Sequence, residues 1–316
     1  MMLDRTESDI MKYWQDGFEK PLVSICTRTY NLEKFIEQAL DSFLMQNTDF
    51  PFEIVIDDDC STDSTADILM EYKKKYPNII NENILKKNIG VRMNFIGNLQ
   101  RANGKYIAPC DGDDYWTDNK MLQKHVDFLD KHEEYVVSYG PLEPLFEEGA
   151  VRRKFNWNRH DREAIDIQKH FLGTGICAVC FRNVEIIKSY PYEHHCAPID
   201  DNFLGSMLGA YGKGKFLYDI EPAFYRQHAN SDYSSKTQKQ KALMYQQTYF
   251  ALAMYYLRIN EVSLSEYFQK KVSEYSFVLY GRKYYIRMLL TSFKNDGILF
   301  IKSTIVRVLK MFKLKK

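Results

Sequence analysis

Three carboxylates stand within four residues in the segment Asp111-Gly112-Asp113-Asp114, which follows an apolar run at residues 106–109. Carboxylates this close repel one another, and burying them costs free energy unless a cation compensates their charge. Hard oxygen donors of this kind suit Mg²⁺ or Mn²⁺, which keep open positions for phosphate oxygens. The segment therefore predicts a divalent-metal site for a phosphate-containing ligand. The alternative is a solvated acidic turn, since Asp and Gly both favour turns.

A second acidic cluster, Asp57-Asp58-Asp59, follows another apolar run and precedes Ser61 and Thr62. A carboxylate at the end of a strand can accept hydrogen bonds from a nucleotide base or a ribose hydroxyl. Capping of the next helix by Asp59 or Ser61 is the alternative interpretation. Taken alone, this cluster leaves both interpretations open.

Alternating strands and helices would position both clusters. Hydrophobic periodicity predicts strands at residues 22–27, 52–56, 79–85 and 106–109, separated by helices at residues 31–46, 61–76 and 91–101. Such alternation implies parallel pairing with right-handed crossovers, and hence a doubly wound α/β sheet. Ligands bind such sheets at the carboxyl ends of the strands. Both acidic clusters fall there.

Beyond residue 136 the regular alternation stops. The pattern there predicts strands at residues 136–142, 175–181 and 216–225, a helix at 201–211 and a polar loop at 152–162. From residue 239 onward the chain is predicted to be helical and is rich in tyrosine.

Residues 23–31, 52–63 and 104–116 together resemble glycosyltransferase family 2 in order, spacing and strand context. The resemblance is close over residues 21–133 and looser as far as residue 231. It implies a GT-A fold, which is a Rossmann-like, mostly parallel doubly wound sheet, and transfer of a sugar from a nucleotide-diphosphate sugar with inversion. The expected organisation is a polar N-terminal arm (1–20), a GT-A catalytic domain (21–235) with a nucleotide-sugar-binding half (21–118) and an acceptor-binding half (119–235), and a helical C-terminal extension (236–316).

The resemblance also implies the roles of individual residues. Tyr30 would pack on the nucleotide base, and Asp59, or Asp58 as second choice, would hydrogen-bond that base. The full nucleotide-binding set is Thr27, Thr29, Tyr30, Asp58, Asp59, Asn88, Arg92, Asp111 and Asp113. The ligands expected for Mn²⁺ or Mg²⁺ are Asp113, Asp114 and His228.

An attacking acceptor hydroxyl must lose its proton, which requires a base on the far side of the sugar. Residues 199–204 resemble the acceptor-side motif of the family, with Asp201 as the base and Asp200 as the alternate. Capping of a helix N-terminus by these two acids is the other interpretation. His228 ends the segment Tyr225-Arg226-Gln227-His228, which resembles a late family motif whose histidine approaches the metal or diphosphate; a surface histidine is the alternative.

The charge of the chain is strongly uneven, although its net value is +1. Ten basic residues and one acid lie between residue 281 and the C-terminus, and residues 298–314 place lysines and arginines on one side of a predicted amphipathic helix. Such a helix can lie on an anionic membrane. Packing on the catalytic domain is the alternative, and a nucleic-acid partner is not expected.

The sequence thus predicts a metal-dependent inverting glycosyltransferase in cell-surface polysaccharide or glycolipid synthesis. We expect a UDP-sugar donor and a saccharide or lipid-linked acceptor. Because residues 1–20 are acidic and carry no apolar run, we expect a cytoplasmic protein at the inner face of the membrane. The alternatives are a catalytically silent nucleotide-sugar-binding or assembly subunit and, less favoured, a sugar-1-phosphate nucleotidyltransferase.

Overall fold

The computed structural model describes residues 4–150, 152, 154–228, 233 and 236–296, with side chains as far as Gly281. In this part of the chain, nine β-strands form two sheets. Their bounds are β1 (Val23–Thr29), β2 (Phe52–Asp58), β3 (Ile80–Ile84), β4 (Tyr106–Pro109), β5 (Tyr135–Tyr139), β6 (Leu142–Phe146), β7 (Val179–Arg182), β8 (Lys213–Phe216) and β9 (Ala223–Gln227).

The described residues also form ten α-helices. Their bounds are α1 (Glu7–Met11), α2 (Ile36–Leu44), α3 (Thr65–Lys75), α4 (Val91–Arg101), α5 (Met121–Leu129), α6 (Ala164–His170), α7 (Glu185–Lys188), α8 (Asp200–Leu208), α9 (Gln238–Arg258) and α10 (Val262–Asp296). Short 3₁₀ helices lie at Ile176–Ala178 and Tyr192–Cys196.

The large sheet has the strand order β3-β2-β1-β4-β7-β5-β8. Strands β3, β2, β1 and β4 are parallel, β7 runs antiparallel to both β4 and β5, and β8 is parallel to β5. Strands β6 and β9 form a separate parallel pair. The expected α/β fold with a mainly parallel sheet is confirmed.

Helices cover both faces of the sheet. Consecutive residues of a strand point to opposite faces, and in β2 Ile54 packs with Leu40 and Leu69 of helices α2 and α3. Its neighbour Val55 packs on the other face with Phe95 of helix α4. Burial of apolar residues on both faces explains the apolar run Ile54-Val55-Ile56 in the middle of β2.

Three strands predicted from the sequence were wrong in extent. The strand expected at 136–142 is broken into β5 and β6 at Gly140-Pro141, because proline lacks the N–H that a central strand needs. The strand expected at 216–225 is likewise divided into β8 and β9. The segment expected as a strand at 175–181 begins as a 3₁₀ helix, and β7 starts at Val179.

The chain on either side of the sheet packs against it. Near the N-terminus, the Arg5 guanidinium donates to the carbonyls of Leu44 and Gln46 at 3.0 and 3.1 Å. At the other end, α9 packs on the α8 side and α10 packs on α9, with a kink at Gly281 where φ is +74°. No helix within the described residues is both long and apolar enough to span a bilayer. The basic segment 298–314 lies outside the described residues.

Candidate functional site

The carboxyl ends of β1, β2 and β4 meet at one edge of the sheet, beside an open cavity of about 1290 Å³. The loops after β2 and β4 and the first turn of helix α8 bring acidic side chains to this cavity. Its acidic lining residues are Asp59, Asp111, Asp113, Asp114, Asp200 and Asp201. The rule that parallel sheets bind ligands at this edge therefore predicted the right place for the cavity.

The β2 cluster divides between structural and cavity-lining residues. Asp58 is fully buried and accepts hydrogen bonds from the Thr29 hydroxyl at 2.8 Å and from the Ser61 backbone N–H at 2.9 Å. Asp59 lines the cavity, and its two oxygens accept from the backbone N–H groups of Ile89 and Gly90 at 2.7 and 2.9 Å. Asp58 thus fixes the loop that presents Asp59.

Tyr30 extends from the end of β1 into the cavity and is 48% exposed. The next residue, Asn31, has φ +54°, and its side-chain oxygen accepts from the Thr62 backbone N–H at 2.8 Å. A Cβ at Gly112 would lie 2.8 Å from the Thr29 methyl group, so this close approach of the two loops requires glycine.

Of the three predicted metal ligands, Asp113 and His228 lie together at the cavity, whereas Asp114 is hydrogen-bonded to the backbone of Arg226. His228 Nε2 lies 3.1 Å from Asp113 Oδ2 at the cavity. Asp114 is 2% exposed, and its Oδ1 accepts from the backbone N–H of Arg226 at 2.8 Å. Burial chiefly raises the pKa of Asp114, with neighbouring acidic groups adding to the effect. No group of three or more potential ligands is clustered for a metal within the described ranges.

Asp113 and His228 nevertheless fit a divalent cation. Mg²⁺ in particular is commonly held by one or two protein ligands together with water and substrate phosphates, rather than by a closed protein cage. The Asp113 carboxylate at the open cavity matches that pattern, and the His228 imidazole 3.1 Å from it is an additional nitrogen donor.

Arg28, which sequence reasoning missed, connects the two acidic sides of the cavity. Its guanidinium donates to Asp111 through Nε at 2.6 Å and Nη2 at 3.1 Å, and to Asp200 Oδ2 through Nη1 at 2.9 Å. Its cationic carbon also lies 4.7 Å from the centre of the Phe95 ring. Burial opposes the charge, but the two carboxylates outweigh it and raise the pKa of Arg28.

Asp200 and Asp201 begin helix α8 but have different surroundings. Asp200 is 8% exposed and is paired with Arg28. Burial raises its pKa to about 6, although Arg28 opposes the shift. Asp201 lines the cavity and, among the described residues, accepts one hydrogen bond, from the Asn202 backbone N–H at 2.9 Å. Asp201 itself is exposed at the open cavity, and partial desolvation by the surrounding walls raises its pKa.

Some residues predicted for the site do not line the cavity. Thr27 and Asp58 are fully buried beside it, and neither lines it. Arg92, on helix α4, instead donates to the backbone carbonyl of His195. Asn88 does line the cavity, where its side-chain amide donates to the Asp59 carbonyl at 3.1 Å. The roles assigned to all these residues stay predictions.

The sheet topology and the acidic strand ends define a GT-A type α/β protein. The family model described as glycosyl transferase family 2 matches residues 24–189. Because that match covers more than half of the chain, the chain belongs to glycosyl transferase family 2. The family resemblance predicted from the sequence is confirmed.

Relatives of known sequence extend the similarity beyond the family model. An uncharacterised protein of Mycobacterium tuberculosis is 36% identical over 216 residues, which is 67% of this chain and 61% of that protein. The chain thus spans about three fifths of the length of that relative. A poly(ribitol-phosphate) beta-glucosyltransferase of Bacillus spizizenii is 31% identical over 150 residues, covering 46% of this chain and 23% of that enzyme.

Solved structures share the fold at low sequence identity. S. aureus TarS 1-349 in complex with UDP-GlcNAc aligns with a TM-score of 0.59 at 21% identity, covering 88% of this chain and 76% of that one. The mannosyltransferase PcManGT from Pyrobaculum calidifontis, in complex with GDP-Man and Mn²⁺, aligns with a TM-score of 0.52 at 14% identity. That alignment covers 90% of this chain and 85% of the mannosyltransferase chain.

Proposed function

We propose that this chain is a metal-dependent inverting glycosyltransferase that moves a sugar from a nucleotide-diphosphate sugar to a saccharide or lipid-linked acceptor. One observation supports the proposal: groups suited to donor binding and a group suited to proton removal line the same cavity. A paired carboxylate and imidazole, Asp113 and His228, line the same space as Asp201 at the start of helix α8. A donor held at the strand ends would thus face a base from the other side.

The donor nucleotide occupies the edge formed by β1, β2 and β4. The half-exposed Tyr30 ring stacks on the base, while Asp59 and Asn88 supply polar contacts to it. Asp111 accepts from the ribose hydroxyls while Arg28 holds its carboxylate in place. Thr27, Thr29, Asp58 and Arg92 support this edge from outside the cavity or at its wall. A UDP-sugar is the favoured donor.

Asp113 and His228 would hold Mn²⁺ or Mg²⁺. Asp114 positions this loop through the hydrogen bond that it accepts from the Arg226 backbone N–H. A cation held there would supply Lewis-acid stabilisation of the charge that develops on the diphosphate. Arg226 fixes this corner, because its Nε donates to the Asp113 carbonyl at 2.8 Å and its backbone N–H to Asp114.

Asp201 acts as the general base, because Asp200 is engaged by Arg28. The acceptor oxygen attacks the anomeric carbon, its proton passes to the Asp201 carboxylate, and the nucleoside diphosphate leaves with the electron pair of the broken glycosidic bond. Attack from the side opposite the leaving group inverts the anomeric centre. Desolvation by the cavity walls raises the pKa of Asp201 although the residue is exposed, and a carboxylate with a raised pKa is the stronger base once it is deprotonated.

The product is a cell-surface polymer or glycolipid, made by a protein at the inner face of the membrane. A relative named as a poly(ribitol-phosphate) beta-glucosyltransferase supports an acceptor of this kind. The membrane contact is assigned to the basic segment 298–314.

Thermal unfolding with Mn²⁺ and a panel of UDP-, GDP- and dTDP-sugars tests the donor site. Because a ligand that binds the native state raises its stability, we expect one nucleotide to raise the melting temperature in the presence of metal. Asp113→Asn should abolish the metal-dependent part of the shift. Lys239→Gln, at an exposed position on helix α9, should leave the shift unchanged.

Two outcomes would contradict the proposal. A folded protein that no nucleotide sugar stabilises would favour an assembly subunit without a donor site. Binding of the donor without transfer or hydrolysis under any acceptor condition would favour a silent nucleotide-sugar-binding subunit.

A further inference from the structure

The cavity continues away from the acidic strand ends into a region of different chemistry. Helices α6, α9 and α10 and the segment before α9 line this part, which we call the lysine–tyrosine end. It is formed by Lys169, Lys236, Lys241, Lys271, His170, Tyr233, Tyr245, Tyr249, Tyr267 and Tyr275. Among the described residues, no Asp or Glu lines it, since all six acidic lining residues come from the strand-end loops and the start of α8.

Lys241 is the unusual member of this set. It is 5% exposed, and within the described ranges its ammonium donates no hydrogen bond. Its nitrogen lies 4.2 Å from the centre of the Tyr233 ring, a contact that compensates part of the charge but leaves its N–H donors unused. A buried ammonium without an acceptor costs free energy. Such a group at a cavity wall is therefore suited to an anion that enters the cavity.

The tyrosines continue the same surface. Lys169 and Lys271 place their ammonium groups 5.6 and 5.8 Å from the centre of the Tyr267 ring. Tyr245 and Tyr249 stack with their ring centres 5.9 Å apart. Aromatic rings of this kind offer flat apolar surface with a polar edge, which suits the carbon faces and hydroxyls of a sugar or polyol.

The lysine–tyrosine end adjoins the position assigned to the base. Tyr245 and Asp201 line the same cavity. Burial and Tyr233 raise the pKa of Tyr245, and the charge of Asp201 adds to the shift. An acceptor whose hydroxyl reaches Asp201 would therefore extend its remaining units over the tyrosines and lysines, away from the donor.

We propose that the lysine–tyrosine end binds an anionic acceptor, a sugar or polyol chain that bears phosphate or carboxylate groups, with one anionic group paired to Lys241. This inference rests on the proposed transferase function. The charge separation in the cavity supports it, because the acidic strand ends repel a polyanion that Lys169 and Lys241 attract. Lys271 contributes less charge, since its ammonium lies 3.0 Å from the Glu274 carboxylate. The acceptor chain would thus run from Asp201 toward the lysine–tyrosine end, away from the donor.

Equilibrium binding of fluorescent oligomers to the full chain tests the proposal. The probes are a glycerol-phosphate hexamer, a hexagalacturonate and neutral maltohexaose, measured by anisotropy at 50 and 200 mM salt. We expect at least one anionic probe to bind about tenfold or more tighter than maltohexaose, and to weaken as salt rises. The preferred anionic probe distinguishes phosphate from carboxylate. Equal affinity for all three probes would overturn the proposal.

Variants assign the effect to Lys241. Lys241→Gln should weaken the preferred anionic probe about tenfold or more without changing maltohexaose binding, and Lys241→Arg should restore part of the loss. Lys239→Gln, two residues away on the exposed side of α9, is the matched control. An equal loss in Lys239→Gln and Lys241→Gln would contradict the assignment, and the wild-type comparison stands even if Lys241→Gln does not fold.

The nucleotide-induced rise in melting temperature separates this inference from the proposed function. If the nucleotide stabilises wild type and Lys241→Gln equally while anionic probes show no preference, the donor site stands and the acceptor inference fails. If no nucleotide stabilises the wild type, the transferase function itself fails.

Discussion

Two neighbouring aspartates at the start of helix α8 differ in their partners, and this difference predicts different roles. Asp200 is paired with Arg28, whereas Asp201 accepts a hydrogen bond from one backbone N–H. General-base catalysis contributes about 10²- to 10⁴-fold to a rate. We therefore expect Asp201→Asn to lower kcat by about that factor, and Asp200→Asn to lower it clearly less. Steady-state transfer assays check this, and an equal loss in both variants would reject Asp201 as the base.

Arg28 is a positioning residue, because it contacts Asp111 and Asp200 rather than a reacting atom. Arg28 is partly exposed but its partner Asp200 is buried. Removing the arginine leaves that carboxylate uncompensated, so Arg28→Met should destabilise the fold by about 2 kcal/mol, less than for a fully buried pair. Urea unfolding measures this loss. Because Asp200→Asn removes one of the stranded charges, the double variant should lose less stability than the sum of the two single variants.

Arg28 also affects catalysis through charge. Its guanidinium lowers the pKa of both Asp200 and Asp201 against the effect of burial. A base works only when deprotonated, so activity falls as pH drops through its pKa. Without Arg28 that pKa rises further, and we expect the acid limb of the kcat/KM profile of Arg28→Met to move to higher pH. A profile that keeps its shape and position would limit Arg28 to a structural role.

Sequence reasoning found the acidic residues of the site but not Arg28. Clusters such as Asp111 to Asp114 are visible because several like charges stand together after an apolar run. Arg28 stands alone in a strand, and its partner Asp200 is 172 residues away. Lys241 was missed for the same reason. A single lysine in a helix is ordinary in a sequence, and only the structure shows that this one is buried.

At the scale of elements, the helices and strands with local periodicity were predicted well. The bounds of α4 and β4 match the sequence prediction residue for residue. The antiparallel insertion of β7 between β4 and β5 was not predicted, because that pairing depends on contacts between distant segments. The division of 136–142 at Gly140-Pro141 could have been predicted from the proline alone.

The turn between α4 and β4 depends on glycine for a steric reason. A Cβ at Gly104 would lie 2.6 Å from the Ser24 backbone nitrogen and 2.8 Å from the Tyr106 carbonyl oxygen. The backbone N–H of Gly104 also donates to the Ser24 hydroxyl at 2.8 Å. Because backbone atoms cannot move aside as a side chain can, we expect Gly104→Ala to destabilise the protein by about 2 kcal/mol.

Gly97 in helix α4 is the matched control for this turn. The nearest atom to a Cβ there is 4.0 Å away, and the backbone is helical. Alanine favours a helix over glycine by about 0.5 to 1 kcal/mol, so Gly97→Ala should stabilise the fold. Urea unfolding of both variants tests the pair. A loss of similar size in both would show that packing, rather than backbone contact, decides the cost at Gly104.

At the scale of the whole molecule, buried ionisable groups link folding to pH. His125 and His194 are fully buried, and burial lowers the pKa of each to about 3. In the unfolded chain a histidine titrates near about 6.5. Between these values the unfolded state binds more protons than the folded state, so the stabilisation is complete above about pH 6.5 and is lost as pH falls.

Asp200 has the opposite effect on stability over part of the same pH range. Its pKa is raised to about 6 in the folded protein, so below that value the folded state binds the extra proton until the unfolded carboxyl titrates near about 3.9. One histidine is thus offset. Asp114 and Asp201, whose pKa values are also raised in the folded protein, act in the same direction as Asp200. Each buried histidine by itself contributes a loss of about 1.4 kcal/mol per pH unit between about pH 6 and 4.

His125→Asn tests which groups produce this acid sensitivity. His125 lies with its Nδ1 2.7 Å from the Ser138 hydroxyl, and an asparagine amide can keep a hydrogen bond there without titrating. Between about pH 6 and 4 the variant should therefore lose about 1.4 kcal/mol less stability per pH unit than the wild type, because it lacks one group that takes up a proton on unfolding. Free energies of unfolding from urea curves at four pH values measure both slopes. Parallel slopes for wild type and variant would mean that His125 is not neutral in the fold, and that the acid sensitivity arises in other carboxylates.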